Sequence, residues 1–320
     1  MAHGLDFEAP IIEIDRMREE VKQAAPDRSQ QICATATPWQ TVQIARHPQR
    51  PVLQDYIRLI CSEFIELHGD RAFGDDQALI GGLATIGTHR VALIGHNKGT
   101  TIEENLTRNF AQARPEGYRK ALRIMRLAEK FGLPVVSFVD TQGAYPGLDA
   151  EERGQAEAIA RNLTEMAGLR TPIIALIAGE GGSGGALGIA VADVVLMLSH
   201  SVYSVISPEG CASILWRDAT FSATAAEALK LTAPWLVNLG IVDEIVEEPE
   251  GGAHRNHEAT AAAVKETLTK HLKRLSAVPT EKLLNKRFEK FSGMGKFARR
   301  NAQHGGGQRL TRSNQENVRP

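Results

Sequence analysis

Six glycines fall within ten residues in the run Gly179-Glu180-Gly181-Gly182-Ser183-Gly184-Gly185-Ala186-Leu187-Gly188. Glycine lets a backbone approach a ligand closely. A helix that follows aims its first N–H groups, and the positive end of its dipole, at an anion. The stretch from Gly179 to Gly185 therefore reads as a turn that holds negative charge, an oxyanion hole between a buried strand and the apolar helix-like segment Ala186–Ala192. Two motif matches compete with this reading. Gly179-x-Gly181-x-x-Gly184 fits the dinucleotide fingerprint, but the acidic residue expected about 20 positions on is missing, since Ser199-His200-Ser201 stands there. Gly181-x-Ser183-x-Gly185 fits the nucleophile elbow of serine hydrolases, and Asp243 with His254 or His257 would complete a triad in the right chain order. Both histidines, however, fall in a Gly/Asn-rich segment at 251–257 with no sign of rigid placement. Glycines that serve only tight helix–sheet packing are the plainer alternative, one that suits two glycines better than six.

A second glycine turn, Asp140-Thr141-Gln142-Gly143-Ala144-Tyr145-Pro146-Gly147, follows the preceding apolar run. Open α/β sheets bind ligands beyond the C-terminal ends of their strands, so two such turns side by side predict one shared crevice. Gly143, Ala144 and Tyr145 are its substrate-contact candidates, together with Gly181 and Gly182, which shape the approach. Asp140 reads as a turn or cap residue.

Three apolar runs must position these turns: Val91–Gly95, Pro134–Asp140 and Pro172–Ala178. Near-continuous apolar runs fit strands buried on both faces of a parallel sheet. Between them lie helical patterns at Glu116–Phe131 and Ala150–Gly168, and strand–helix alternation of this kind indicates an α/β fold. Helices are also expected at Pro10–Ala24, in a stretch ending near Arg46, and over Val52–Leu67, Ala223–Leu231 and Thr260–Leu275. Val194–Met197 and Ser201–Ile206 read as strands, and Ser292–Pro320 as a disordered tail. The division expected is a helical arm over 1–46, a catalytic domain over 47–278, and a basic C-terminal helix and tail over 279–320.

The bulk numbers exclude several classes. Net charge is -1 over 320 residues, which gives no global drive toward nucleic acid or membrane, although ten Lys/Arg against three Glu make the chain basic from Glu281 onward. That tail reads as solvated rather than RNA-binding, because no aromatic residues interleave its charges. No apolar stretch approaches the roughly 20 residues of a membrane span. Cys33, Cys61 and Cys211 lie far apart, so neither a zinc site nor a disulfide framework is expected. With no signal-peptide pattern at the N-terminus, a cytoplasmic location is expected.

Longer runs carry a resemblance. Gly179–Ala186, Pro115-Glu116-Gly117-Tyr118-Arg119-Lys120-Ala121 and Tyr203–Trp216 are similar to the α-subunit family of acetyl-coenzyme A carboxylase carboxyltransferase, of the bacterial and plastid multi-subunit type. Leu5–Glu8, Ala45–Pro51, His68–Arg71 and Gly251–Asn256 extend the match over roughly Leu5 to Leu275. The resemblance implies a ClpP/crotonase-like superhelix of ββα units with an N-terminal helical arm. It implies an α2β2 assembly with a zinc-ribbon β subunit that supplies most of the coenzyme A site. That assembly works beside biotin carboxylase and the biotin carboxyl carrier protein in an ATP-dependent complex, in the cytoplasm or plastid stroma. It implies transfer of a carboxyl group from carboxybiotin to acetyl-CoA, giving malonyl-CoA for fatty acid biosynthesis. Biotin then sits on the carrier rather than on this chain, and no metal is expected here. The freed biotin nitrogen can take the methyl proton, so the protein needs mainly positioning and oxyanion holes. Carried over residue by residue, the donors toward biotin are the N–H groups of Gly184, Gly185 and Ala186. Replacing Gly185 by valine is then expected to lower turnover with little loss of folding.

Three other functions stay open beside it: a self-contained crotonase-type hydratase or decarboxylase, which would need a side-chain base such as Glu180; a hydrolase through Ser183; and a scaffold that only docks the carrier. Gln142 stands where the family usually has proline, and Phe110–Arg114 replaces a segment that usually contains Gly-Met-Pro. Arg119, Lys120, Arg123, Arg126 and Lys130 share a helical segment that reads as a solvated face, with coenzyme A phosphates as the alternative use. Tyr203–Trp216 reads as a subunit-interface loop or active-site wall.

Overall fold

The computed structural model describes residues 36–295, so the helix expected at Pro10–Ala24, Cys33 and most of the polar tail lie outside the described residues. A mixed sheet of eight strands forms the centre: β1 (Cys61–Glu66), β2 (Leu79–Ile86), β3 (His89–His96), β4 (Val135–Thr141), β5 (Ile173–Gly182), β6 (Val194–Leu198), β7 (Val202–Ser204) and β8 (Glu244–Val246). Their spatial order is β1-β2-β3-β4-β5-β6-β8, with β7 beside the end of β5. β1, β2 and β3 are antiparallel, and β3, β4, β5 and β6 run parallel. Gly87-Thr88 is the two-residue β2–β3 loop, and Gly87 at φ 59° takes the first position of a type II′ turn, which few other residues adopt.

The period of two along each parallel strand sorts side chains to opposite faces. Ala92, Ile94, Val135, Val139, Ile173, Ala175 and Ile177 face α4 (Pro115–Phe131) and α6 (Gln155–Gly168). Leu93, Val136, Phe138, Ile174 and Leu176 face α2 (Leu53–Ile60) and α11 (His257–Ser276). The remaining helices are α1 (Pro38–Ala45), α3 (Ile102–Thr107), α5 (Leu148–Glu152), α7 (Ser183–Leu187), α8 (Pro208–Leu215), α9 (Ser222–Leu229), α10 (Ala233–Asn238) and α12 (Thr280–Ser292).

Three sequence expectations change. The helix expected over Val52–Leu67 stops at Ile60, and Cys61–Glu66 becomes edge strand β1. Ile60 and Phe64 share helical spacing, yet Ser62 and Glu63 are exposed on a strand that pairs only with β2. β2 itself went unread because Gly81-Gly82 interrupts its apolar pattern. The second glycine is required there, since a Cβ at Gly82 would lie 2.0 Å from the Ile65 carbonyl oxygen. Tyr203–Trp216 is not a loop: it contains β7 and then α8, whose N-cap Ser207 accepts the Gly210 N–H at 3.1 Å ahead of Pro208 at the first helical position.

The most deeply buried fastening of α12 is one side chain. Arg287 is 1% exposed and donates to both Asp193 carboxylate oxygens, at 2.8 and 2.7 Å, and to the carbonyls of Met166, Leu169 and Thr171. Removing one partner of such a buried pair leaves the other charge uncompensated. Arg287→Met should therefore lower the unfolding free energy by about 3–5 kcal/mol, and adding Asp193→Asn should recover part of the loss. Urea unfolding checks this, and an unchanged midpoint in the single variant would refute the assignment.

Candidate active site

The C-terminal ends of β3, β4 and β5 open into a cleft of ≈ 280 Å³ lined in part by Arg46, Lys98, Asp140, Gln142 and Glu180. The ladder is irregular there. Val139 pairs with Ile177 and Thr141 with Gly181, so three residues of β5 stand opposite Asp140 alone. Bulges of this kind re-aim side chains and often sit beside active sites.

The glycine run divides in two, which corrects the expectation of one continuous turn. Gly179–Gly182 is strand: Gly181 pairs with Thr141 of β4, while Glu180, Gly181 and Gly182 pair with Val202, Tyr203 and Ser204 of β7. Glycine is needed here for packing. A Cβ at Gly179 would lie 2.3 Å from Asp140 Oδ1, one at Gly181 2.7 Å from the Tyr203 ring, and one at Gly182 2.1 Å from the Gln142 carbonyl oxygen. The chain then turns sharply through Ser183, at φ 55°, into α7. A Cβ on Gly185 would lie 2.4 Å from both the Ala144 nitrogen and the Gly143 carbonyl carbon. Gly184 has room, its nearest neighbour being Ile159 at 3.8 Å. The two glycine turns thus meet in one crevice, backbone against backbone. Tyr118, fully buried, donates its hydroxyl to the Gly185 carbonyl at 3.2 Å and fixes that peptide.

The second turn is held from within. Thr141 Oγ1 donates to the Gly143 carbonyl at 2.7 Å and accepts the Gly143 N–H at 3.2 Å. The Tyr145 N–H donates to the Ala113 carbonyl, and Arg114 lies over the Tyr145 ring at 4.6 Å. That contact reaches the atypical 110–114 segment, where Phe110 and Ala111, with Asn109 before them, hold left-handed φ values of 53°, 60° and 46°. Non-glycine residues rarely take that conformation.

Charged side chains in the cleft are mostly matched in pairs. Lys98 Nζ lies 2.6 Å from Asp140 Oδ1, which also accepts the Glu180 N–H at 2.9 Å. Asp140 is thus an ion-pair partner and an acceptor for β5 rather than the turn or cap residue expected. Arg46, brought in just after α1, donates to Glu180 at 2.7 Å and to Glu209 of α8. Burial opposes ionisation of Glu209, but the Arg46 guanidinium and local N–H donors outweigh it and lower its pKa. Glu180 is 5% exposed and its Oε2 has no partner among the described residues. His96, at the end of β3, is buried beside Gly185, and burial pushes its pKa down to about 4 against the pull of Asp140 and the Gly185 backbone. It is neutral at neutral pH.

The hydrolase constellation does not assemble. Asp243 accepts the Val195 N–H at 2.6 Å near the start of β6, level with Ile174–Ala175 at the far end of β5. Eight residues of strand separate that level from Ser183, about 26 Å at 3.3 Å per residue. His254 stacks on His47 with ring centroids 3.9 Å apart, and His257 binds the Gln49 carbonyl at 2.7 Å. The basic helix face is equally recast: Lys120 is fully buried on Asp75 and the Asp76 carbonyl, and Arg119 is bound to Asp70 and Glu116.

The comparisons with known proteins settle the family. The profile described as acetyl co-enzyme A carboxylase carboxyltransferase-like matches residues 5–295. The chain belongs to that family. The acetyl-coenzyme A carboxylase carboxyl transferase subunit alpha of Geobacter metallireducens is 53% identical over 313 residues, covering 92% of this chain and 98% of that protein. Its counterpart in Geobacter sulfurreducens is 57% identical over 284 residues, covering 89% and 86%. Among solved structures, a Pseudomonas malonate decarboxylase hetero-tetramer in complex with coenzyme A matches at a TM-score of 0.59 and 16% identity, over 73% of this chain and 91% of that one. Transcarboxylase 12S matches at 0.56 and 16% identity, over 79% and 43%. Those likenesses bear out the crotonase-like fold. Among the described residues, no helix is long and apolar enough to cross a membrane.

The crowding at Gly185 corrects the valine expectation, because that variant cannot separate function from folding. Gly185→Ala should cost about 1–3 kcal/mol of stability through overpacking. Gly184→Ala should be neutral or slightly stabilising, since alanine favours a helix. Denaturant midpoints check the contrast, and equal midpoints would refute the close approach of the two turns.

Proposed function

We propose that this chain is the α half of an acetyl-CoA carboxyltransferase, moving a carboxyl group from carboxybiotin to acetyl-CoA to give malonyl-CoA. Family membership supports the reaction. The observation that carries the site assignment is the meeting of α7 with the 143–144 turn, which packs two glycine-rich stretches of main chain together just past the C-terminal ends of β4 and β5.

The first N–H groups of any helix lack an intrahelical acceptor, whereas the fourth residue donates to the N-cap carbonyl. With Gly182 as N-cap, Gly184 and Gly185 remain donors, and Ala186 supports them from within α7. The Ala144 N–H, without a partner among the described residues, stands against Gly185. Gly181 and Gly182 set the depth of the approach, while Gly143 and Tyr145 hold the opposite wall. Carboxybiotin would supply the carboxyl group and, once it is released, a basic ring nitrogen. This chain's part is to hold the ureido oxygen's charge and orient the ring. Each backbone donor is worth roughly 2.7–4 kcal/mol in comparable sites.

The relatives are named as one subunit, and this chain exposes Val205, Ile214 and Leu215 at 77%, 70% and 66%, with Trp216 and Phe221 beside them. Large clustered apolar side chains of this kind mark protein interfaces. A β subunit carrying the zinc ribbon and most of the coenzyme A site would cover them in an α2β2 assembly. The biotin carboxyl carrier protein and biotin carboxylase would act alongside it in the cytoplasm or plastid stroma. The helical arm over 1–46 and the tail after 278 flank the catalytic unit in this scheme. A self-contained hydratase is less well supported, because the base it would need, Glu180, is tied to Arg46.

Reconstitution tests the assignment. The chain alone should be inactive in carboxyl transfer between malonyl-CoA and biotin, and adding β subunit should raise the rate at least 100-fold. Ser183→Ala should retain full activity in the pair. Transfer by the chain alone would overturn the reading, and loss of activity in Ser183→Ala would return the hydroxyl to the mechanism.

A further inference from the structure

A groove of ≈ 400 Å³ lies between α4, α6 and the loop after β1, sharing no lining residue with the cleft, and five arginines line it: Arg71, Arg119, Arg123, Arg126 and Arg161. Three have carboxylate partners. Arg119 is bound to Asp70 and Glu116, and Arg126 and Arg161 share Glu165. Arg71 and Arg123 have none at ion-pair distance among the described residues. Both instead converge on one backbone atom, the His68 carbonyl oxygen, at 2.9 and 3.2 Å. Their two nitrogens therefore lie within about 6 Å of each other, and like charges that close repel unless an anion sits between them.

Asp70 and Asp75, the acids of the adjoining loop, are already spent. Asp70 Oδ1 accepts the N–H groups of Ala72, Phe73 and Gly74, and its Oδ2 takes Arg119. Asp75 takes Lys120, the Gly69 N–H and His68. Glu157, the other carboxylate of the lining, forms no ion pair among the described residues. Burial and the facing Arg71 charge both lower the pKa of Arg123, with Asp75 and Asp70 only partly offsetting them. Arg71 is moreover held at φ 65°, a conformation uncommon outside glycine, at the head of a loop whose Asp70 fixes three successive N–H groups. A rigid loop thus presents an unneutralised guanidinium to a second one on α4.

We propose that Arg71 and Arg123 form a binding site for a phosphate group, apart from the carboxyl-transfer cleft. Two guanidiniums match the two charges of a phosphate monoester dianion and its three terminal oxygens, where one guanidinium would suffice for a carboxylate. The groove is large enough to hold more than the phosphate itself. The source is either a free phosphate or the nucleotide end of a coenzyme A ester.

The test uses the full chain with inorganic phosphate and coenzyme A as probes, followed by titration calorimetry at constant ionic strength. Saturable phosphate binding is expected, weakened at least tenfold in Arg71→Gln/Arg123→Gln, and unchanged in Arg161→Gln. Coenzyme A binding at least tenfold tighter than phosphate, with the same loss in the double variant, would assign the site to the nucleotide end; equal affinities would assign it to free phosphate. Should the double variant unfold, Arg71→Lys alone serves, keeping the charge but losing the fork, with at least a threefold loss expected. No saturable phosphate binding by wild type, or equal binding by a folded variant, would overturn the proposal. So would a variant that binds phosphate normally and fails only to assemble with the β subunit, since the groove would then belong to an acidic surface of that partner.

Discussion

At Gly182 and Gly185 two stretches of main chain come too close for any Cβ to fit between them, one against the Gln142 carbonyl and the other against Gly143 and Ala144. The arrangement of the two glycine turns follows from this contact. It brings the ends of β4 and β5 together, commits the N–H groups of Gly181 and Gly182 to the sheet region, and leaves the start of α7 as the place where donors emerge. The layers outside serve the same contact. Tyr118 reaches through from α4 to hold the Gly185 carbonyl, and its ring would meet a Cβ on Gly188 at 2.9 Å.

Such a site has a physical advantage over one built from ionised side chains. Backbone dipoles carry no net charge, so they need no buried counter-ion and no pKa tuning, and they are preorganised before any substrate arrives. The ionised groups around them cancel locally: Lys98 with Asp140, and Arg46 with Glu180 and Glu209. Each pair also ties separate elements together. Asp140 joins the segment after β3 to β5, and Arg46 joins α1 to β5 and α8. The electrostatics of the cleft are therefore largely those of its amides.

The parallel strands were legible in the sequence because burial on both faces writes a near-continuous apolar run, as at Val135–Val139 and Ile173–Ala178. The helices between them were legible from their periodicity and, for α4, from Gly132 as a left-handed stop at φ 64°. β1 and β2 were hidden for opposite reasons. An edge strand has one buried face, which Ile60 and Phe64 imitate at helical spacing, and Gly82 removes a side chain where the Ile65 carbonyl needs the space. The location of the site was legible in its glycines, but not their division of labour. Composition cannot separate a glycine that frees an N–H from one that yields to Tyr203 or Gln142. The role of Asp140 was invisible because Lys98, its partner, lies 42 residues away in the chain.

The resemblance of this turn to a nucleophile elbow is more than a coincidence of letters. Both geometries need a strand to pass into a helix with almost no intervening chain, and that forces the residue at the corner into positive φ, here Ser183 at 55°. In a hydrolase the same corner lifts a hydroxyl toward a histidine, and the helix N–H groups stabilise the oxyanion that results. Here Ser183 is exposed and neither His254 nor His257 is placed to use its hydroxyl, while the helix N–H groups remain. What the two sites share is the oxyanion function of the turn. The nucleophile is an addition that one of them makes, so a glycine-rich strand-to-helix corner is better evidence of a developing negative charge than of a serine that attacks.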